Sequence, residues 1–257
     1  MPRLQVTLPS GARGTVRGLK GEEVNMFANQ QASKRGRTAQ SILKNVWVET
    51  EDPGPLYDEK IDWDKAPQCD RFAALFYARI ATYGSGYDFR WQCADRAQCG
   101  KRFEWALDLL EDLDIKALPE KSIAQFLDDN KFHASIIDNN GEDCEIVFRL
   151  MTPKLEEKVD RVTSLSPKER TTAGLAQRIV SVSGLDLSDS RAPIKAFLND
   201  LDAGAILDLA EAIEEVEGGV ETDIEIECPY CGCIMEIDLP LQEGFWSPSR
   251  RKRSTKR

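Results

Sequence analysis

Two short stretches of this chain, far apart in sequence, repeat one pattern around a pair of cysteines. Aligned on their second cysteines, Cys99 and Cys231, each carries apolar residues at matching places before its first cysteine: Phe89 and Trp91 before Cys93, Ile224 and Ile226 before Cys228. Both second cysteines precede a glycine, Gly100 and Gly232. Phe103-Glu104-Trp105 then matches Met235-Glu236-Ile237, and Leu107 and Leu109 match Leu239 and Leu241. Alternation on both sides of a glycine-bearing turn predicts a β-hairpin with its cysteines at the tip. A tight turn carrying two thiolates, with glycine freeing backbone N–H groups to point at the sulfurs, is half of a tetrahedral metal site.

Two such halves facing each other would assign Cys93, Cys99, Cys228 and Cys231 to one structural zinc, with Zn–S bonds near ~2.3 Å. The site would staple the middle of the chain to its end, and closing so long a loop helps most where the core alone is thin. The first knuckle is long, with five residues between its cysteines, where about two to four are usual. A degenerate knuckle, leaving two hairpins with reduced cysteines, is the competing reading. The chain holds seven cysteines, and an odd count without a secretion signal argues against a disulfide framework. Cys233 lies on an outgoing strand as a spare thiol, while Cys69 at a helix start and Cys144 in a strand read as core thiols. A redox role for Cys228-Pro229-Tyr230-Cys231 would want a helix opening at the first thiol, and the alternation predicts strand-turn-strand instead.

Scarcity closes off much of catalysis. The single histidine, His133, sits in a strand-like run with no nucleophile motif beside it and reads as structural. Carboxylate pairs such as Glu111-Asp112 and Glu214-Glu215 fall on surface or helix faces, so the chain reads as a non-enzyme. No apolar run approaches the roughly 18 residues that span a bilayer, and the N-terminus lacks the apolar segment of a secretory signal. A cytosolic protein is expected. The net charge of −10 becomes −16 once the six positive charges of the last eight residues, RRKRSTKR, are set aside. An acidic body repels nucleic acid. The basic end reads as a solvated terminus, with nucleic-acid binding as the alternative.

Along the chain, the fold class expected is α+β: short β-hairpins and helices, a two-knuckle zinc ribbon built from the middle and C-terminal segments, and a mainly helical insertion. Residues 1–50 read as an N-terminal hairpin (Leu4, Val6 and Leu8 running into Pro9-Ser10-Gly11) followed by helices, the second spanning Thr38 to Val46. A breaker-rich loop, ETEDPGPLYDEKIDW, comes next. Residues 60–150 hold the helix Asp70 to Gly84, the first cysteine knuckle, a helix from Pro119 to Asp129 and a second hairpin around Asn140-Gly141. Residues 151–218 read as helical throughout, ending on paired glycines. Residues 219–246 complete the ribbon, and 247–257 form the basic tail.

Several landmarks stand in order: LPSGARGTVRGLKGEE, DRFAALFYARIATYG, CGKRFEWALDL, VFRLMTPKLEEKV and CPYCGCIMEIDLPLQEGFWSP. This layout resembles the zinc-ribbon-containing baseplate proteins of contractile-tailed phages, the family of the T4 baseplate hub assembly protein. The resemblance implies a morphogenesis protein, a chaperone or minor component for building the tail baseplate or hub. Its partners would be phage tail and baseplate proteins, and its place the host cytoplasm and the virion tail. It carries Cys93 and Cys99 over as the first knuckle, Cys228 and Cys231 as the second. The stretch from Leu239 to Pro248 matches the family's aromatic-proline ending, whereas the basic extension and the long first knuckle depart from it. Phe245 and Trp246 within that ending could be an exposed partner-binding anchor, since aromatics dominate hot spots, or could pack back on the protein's own core.

Overall fold

The computed structural model describes residues 1–28, 37–160, 167–185, 191–241 and 243–246. The first strands, β1 (Arg3–Thr7) and β2 (Arg13–Arg17), form the expected hairpin, with Leu4 opposite Val16 and Val6 opposite Gly14. Gly11 makes the turn at φ +87°, a left-handed conformation that glycine adopts without penalty. Helices α1 (Gly21–Ala28) and α2 (Arg37–Val46) follow. The next segment corrects the sequence reading: Trp47–Asp52, which follows the helix ending at Val46 and from Glu49 on reads as loop, is a strand, β3, pairing antiparallel with β2. Gly14 permits this pairing, because a Cβ there would lie 2.3 Å from the Glu49 carbonyl oxygen and 2.4 Å from the Trp47 ring.

Helix α3 (Gln68–Tyr83) is the central rod. Ala73, Ala74 and Ala78 share one core with Val6 and Val16 of the N-terminal sheet and Ile42 of α2, while Phe76 and Ile80 face the cysteine hairpins. Its first turn is tied down by buried polar contacts. Asp70 accepts hydrogen bonds from the Ser10 N–H at 2.9 Å and the Tyr57 hydroxyl at 2.5 Å. Arg71 forms a bidentate pair with Glu156 at 2.8 and 2.5 Å, which binds α3 to helix α5 (Pro153–Asp160).

After α3 come the first cysteine hairpin, β4 (Gly86–Gln92) with β5 (Arg102–Asp108), then the short strand β6 (Ile115–Lys116) and helix α4 (Glu120–Asp128). Strands β7 (Phe132–Ile137) and β8 (Asp143–Phe148) pair around the Asn140-Gly141 turn, with Gly141 at φ +80°. The stretch expected to be helical throughout contains helix α6 (Pro167–Arg178) but then a strand, β9 (Ile179–Val182), which extends this sheet beside β8. Helices α7 (Ala192–Asp200) and α8 (Ala203–Val216) complete the unit. Ile136, Ile146, Phe148, Ile179, Ile194, Leu209 and Ile213 share one core, so the hairpin and the helices after it pack as one body.

The chain returns through β10 (Gly219–Val220), which pairs antiparallel with β6. The second cysteine hairpin is β11 (Asp223–Glu227) with β12 (Ile234–Asp238), followed by a single turn of helix, α9 (Glu243–Trp246). The whole is α+β, with small antiparallel sheets and helices. Among the described residues, no helix is long and apolar enough to cross a membrane.

Candidate metal centre

The two cysteine hairpins are built alike, down to their hydrogen bonds. In the first, the Cys93 N–H donates to the Lys101 carbonyl at 3.0 Å; in the second, the Cys228 N–H donates to the Cys233 carbonyl at 2.9 Å. Both acceptors stand two places beyond the second cysteine. Gly100 and Gly232 adopt φ +58° and +72°, the left-handed conformation that turns the backbone around the sulfurs. The longer first turn is closed by Asp95, whose carbonyl accepts the N–H groups of Cys99 and Gly100 at 2.9 and 2.8 Å. The alternating residues Phe89, Phe103, Leu107, Ile226, Met235, Ile237 and Leu239 are buried in one cluster with Phe76 and Ile80 of α3. A common core therefore brings the two tips together.

At those tips the sulfurs of Cys93, Cys99, Cys228 and Cys231 all lie within 4.8 Å of one another. The close contacts cross between the hairpins, Cys93 to Cys231 at 3.6 Å and Cys99 to Cys228 at 3.8 Å. A tetrahedron with metal–sulfur bonds of about 2.3 Å has edges of about 3.8 Å, so the four thiols are spaced to hold one metal ion. A disulfide would need sulfurs about 2.05 Å apart, and the cysteines are free thiols. Cys93 and Cys228 are buried, Cys99 is half-buried and Cys231 faces solvent.

Crowding separates the thiols' acidities. Burial opposes a Cys228 thiolate, but the N–H groups of Tyr230 and Cys231 and the thiols of Cys231 and Cys93 outweigh it and bring the pKa down to about 7. For Cys231 the Cys233 N–H works downward, yet burial and the neighbouring thiols prevail and push it up to about 12. A metal ion entering such a set must displace protons, which couples binding to pH.

Two contacts that the sequence did not disclose join the knuckles. The Ala94 N–H donates to the Met235 sulfur at 3.2 Å, and the Lys101 ammonium sits 4.8 Å from the centre of the Tyr230 ring. Tyr230, inside the Cys-x-x-Cys turn, was the only local hint. The remaining singled-out residues stay apart from the cluster. Cys233 is half-buried, its sulfur 3.7 Å from the Ile234 carbonyl. Cys144 is buried and accepts from the Ser183 hydroxyl at 3.7 Å, while Cys69 is half-buried near the start of α3. His133 lies on the exposed face of β7.

Phe245 requires a correction as an exposed anchor. It is fully buried, stacked on Phe76 at 6.0 Å and set edge-on to Tyr87 at 5.1 Å and Trp246 at 4.9 Å. Beneath it lies Arg79, 2 % exposed, with its guanidinium 4.9 Å from the Phe245 ring centre. Arg79 donates to the carbonyls of Gly84 at 2.6 Å, Gly86 at 3.3 Å and Phe245 at 3.4 Å; burial pulls its pKa below the ordinary arginine value. These contacts hold the C-terminal turn against the ribbon core. Trp246 is half-buried beside both the N-terminal and ribbon clusters. The basic tail, 247–257, lies outside the described residues.

Comparison with known proteins adds one finding. The model of a family described as T4 bacteriophage base plate protein matches residues 1–244, a span that includes both knuckles and stops before the basic tail. No curated protein and no solved structure matches the chain.

Proposed function

The chain belongs to the T4 bacteriophage base plate protein family, and from that premise we propose that it is a non-enzymatic morphogenesis protein. It acts as a chaperone or minor structural component during assembly of the tail baseplate or hub, in the host cytoplasm and on the virion tail. Its partners are other tail and baseplate proteins. Cys93, Cys99, Cys228 and Cys231 hold one structural zinc; bound there, the ion supplies folding free energy and neutralises the thiolates.

The observation that carries this reading is the meeting of the four cysteines in a family match that covers both knuckles. The residues fit the ion on their own terms: four thiols with no open position among them, and, in the second knuckle, backbone N–H groups of Tyr230, Cys231 and Cys233 directed at sulfur. A four-thiolate closed set is the donor pattern of structural rather than catalytic zinc. The nucleic-acid alternative rests on the basic tail, which lies outside the described residues, and on the ribbon surface, where the second hairpin turns five carboxylates outward and so repels phosphate.

Metal analysis of the purified chain tests the site. About one zinc per chain is expected, and it should be lost in both Cys93→Ser and Cys228→Ser. Zinc retained by Cys93→Ser would break the pairing of the knuckles. Co-expression with each baseplate and tail protein of the same phage tests the role. A defined complex with one of them is the expected result, and failure with every one would overturn the assembly function.

A further inference from the structure

The unusual length of the first knuckle has a consequence at the surface. Its extra residues carry Arg96, which joins Arg90 and Arg102 of the flanking strands and the half-buried Trp91 around a cleft of 580 Å³ beside Cys93. All three arginines are exposed. Arg90 is paired with Glu104 at 3.0 Å in an open, solvated contact. The side chains of Arg96 and Arg102 have no acidic partner among the described residues. Concave shape, tryptophan and unneutralised arginine are the features that recur where interfaces concentrate their binding energy.

The second knuckle's hairpin carries the opposite charge. Ile226, Met235 and Ile237 turn inward, so alternation turns Asp223, Glu225, Glu227, Glu236 and Asp238 outward. The register places Asp223 opposite Asp238 and Glu225 opposite Glu236. Like charges directly across a strand pair are destabilising, and no described cation pairs with any of the five. Asp223 shows the strain: a hydrogen bond to the Asp238 carboxyl, burial and the surrounding acids all raise its pKa.

We propose that the arginine cleft of the first knuckle receives the acidic outer face of the second hairpin from another copy of this chain. Each surface supplies the charge that the other lacks, and both stand on one chain away from the shared ribbon core. Because the two patches differ, the contact is heterologous and head-to-tail, and successive copies extend into a ring or a filament. The proposal rests on this charge distribution and does not depend on the baseplate assignment.

Sedimentation of the full, zinc-loaded chain over a range of concentrations tests it. Self-association at low salt is expected, weakening by about tenfold or more as salt rises. The variants R96E/R102E and E225K/E236K should each be monomeric while keeping zinc and native stability, since all four positions are exposed. Mixing the two should restore association, because the intact acidic face of one meets the intact cleft of the other. Should either charge reversal disturb folding, R96Q/R102Q replaces it as the test of the cleft. A chain monomeric at every concentration at low salt overturns the proposal, as does association that survives either reversal or a mixture that stays apart. It also fails if the full chain is monomeric and only a chain lacking residues 250–257 associates, for then its own basic tail holds the acidic face.

Discussion

Replacing Phe245 by alanine separates a core residue from a surface anchor. The ring is fully buried and touches Phe76, Tyr87, Trp246 and the Arg79 guanidinium. Burying a phenylalanine is worth about 1.5–3 kcal/mol from removal of apolar area. The cavity left in a packed aromatic cluster raises the cost of truncation to about 3–5 kcal/mol. Part of that cost belongs to Arg79, which would lose a cation–π contact worth about 1–2 kcal/mol in a desolvated setting. Urea unfolding at saturating zinc is the assay. With an m-value of about 3 kcal/mol/M, the midpoint should fall by about 1–1.7 M at unchanged m. Trp246→Ala, at a half-buried ring, should cost less. A double-mutant cycle between Phe245→Ala and Arg79→Met should show coupling of about 1–2 kcal/mol. A loss below about 1 kcal/mol for Phe245→Ala would refute the reasoning and return the side chain to the surface.

Two further perturbations probe the packing and the buried carboxyl. A Cβ on Gly218 would lie 2.7 Å from the Leu118 nitrogen and 2.8 Å from the Lys116 carbonyl oxygen, both backbone, so Gly218→Ala should destabilise by about 1–3 kcal/mol. Gly174, in helix α6 with nothing among the described residues within 4 Å of an added Cβ, should instead gain about 0.5–1 kcal/mol as alanine. Thermal melts of both variants check the pair. Asp70 has its pKa raised by burial, against the opposing hydrogen bonds from Ser10 and Tyr57. A raised folded-state pKa favours the native state below the unfolded value near 3.9 and withdraws that contribution as pH rises through the folded value. Asp70→Asn should flatten this part of the stability–pH curve, while Asp70→Ala, which strands the Ser10 N–H, should cost about 1–3 kcal/mol. Denaturation across pH reads both, and a curve unchanged in Asp70→Asn would contradict the assignment.

The legibility of the knuckles has a local cause. Alternation at period two, a glycine at positive φ and paired cysteines are all encoded within some twenty residues, and Gly100 and Gly232 do adopt the conformations their positions called for. The two longest of the strands that were missed have no such local signature. β3 reads Trp-Val-Glu-Thr-Glu-Asp with little burial, and only the hydrogen bonds offered by β2 make it a strand. β9 is four residues long and follows directly on helix α6; its partner β8 lies some thirty residues earlier. Short strands of this kind are chosen by an available edge, and β-propensity is mostly a record of such context. Phe245 failed as an exposed residue for a related reason. Its burial depends on Phe76, Arg79 and Tyr87, more than a hundred and fifty residues away.

The α+β character, the two cysteine hairpins and the match between them are encoded locally, because they follow from periodicity and turn chemistry over short range. Long-range packing alone sets which surfaces face each other: four sulfurs within 4.8 Å, an aromatic turn folded onto a buried arginine, and an acidic sheet face left without a described counter-charge. Those outcomes turn on contacts between residues distant in the chain, whose loop-closure cost is offset only when the whole core assembles.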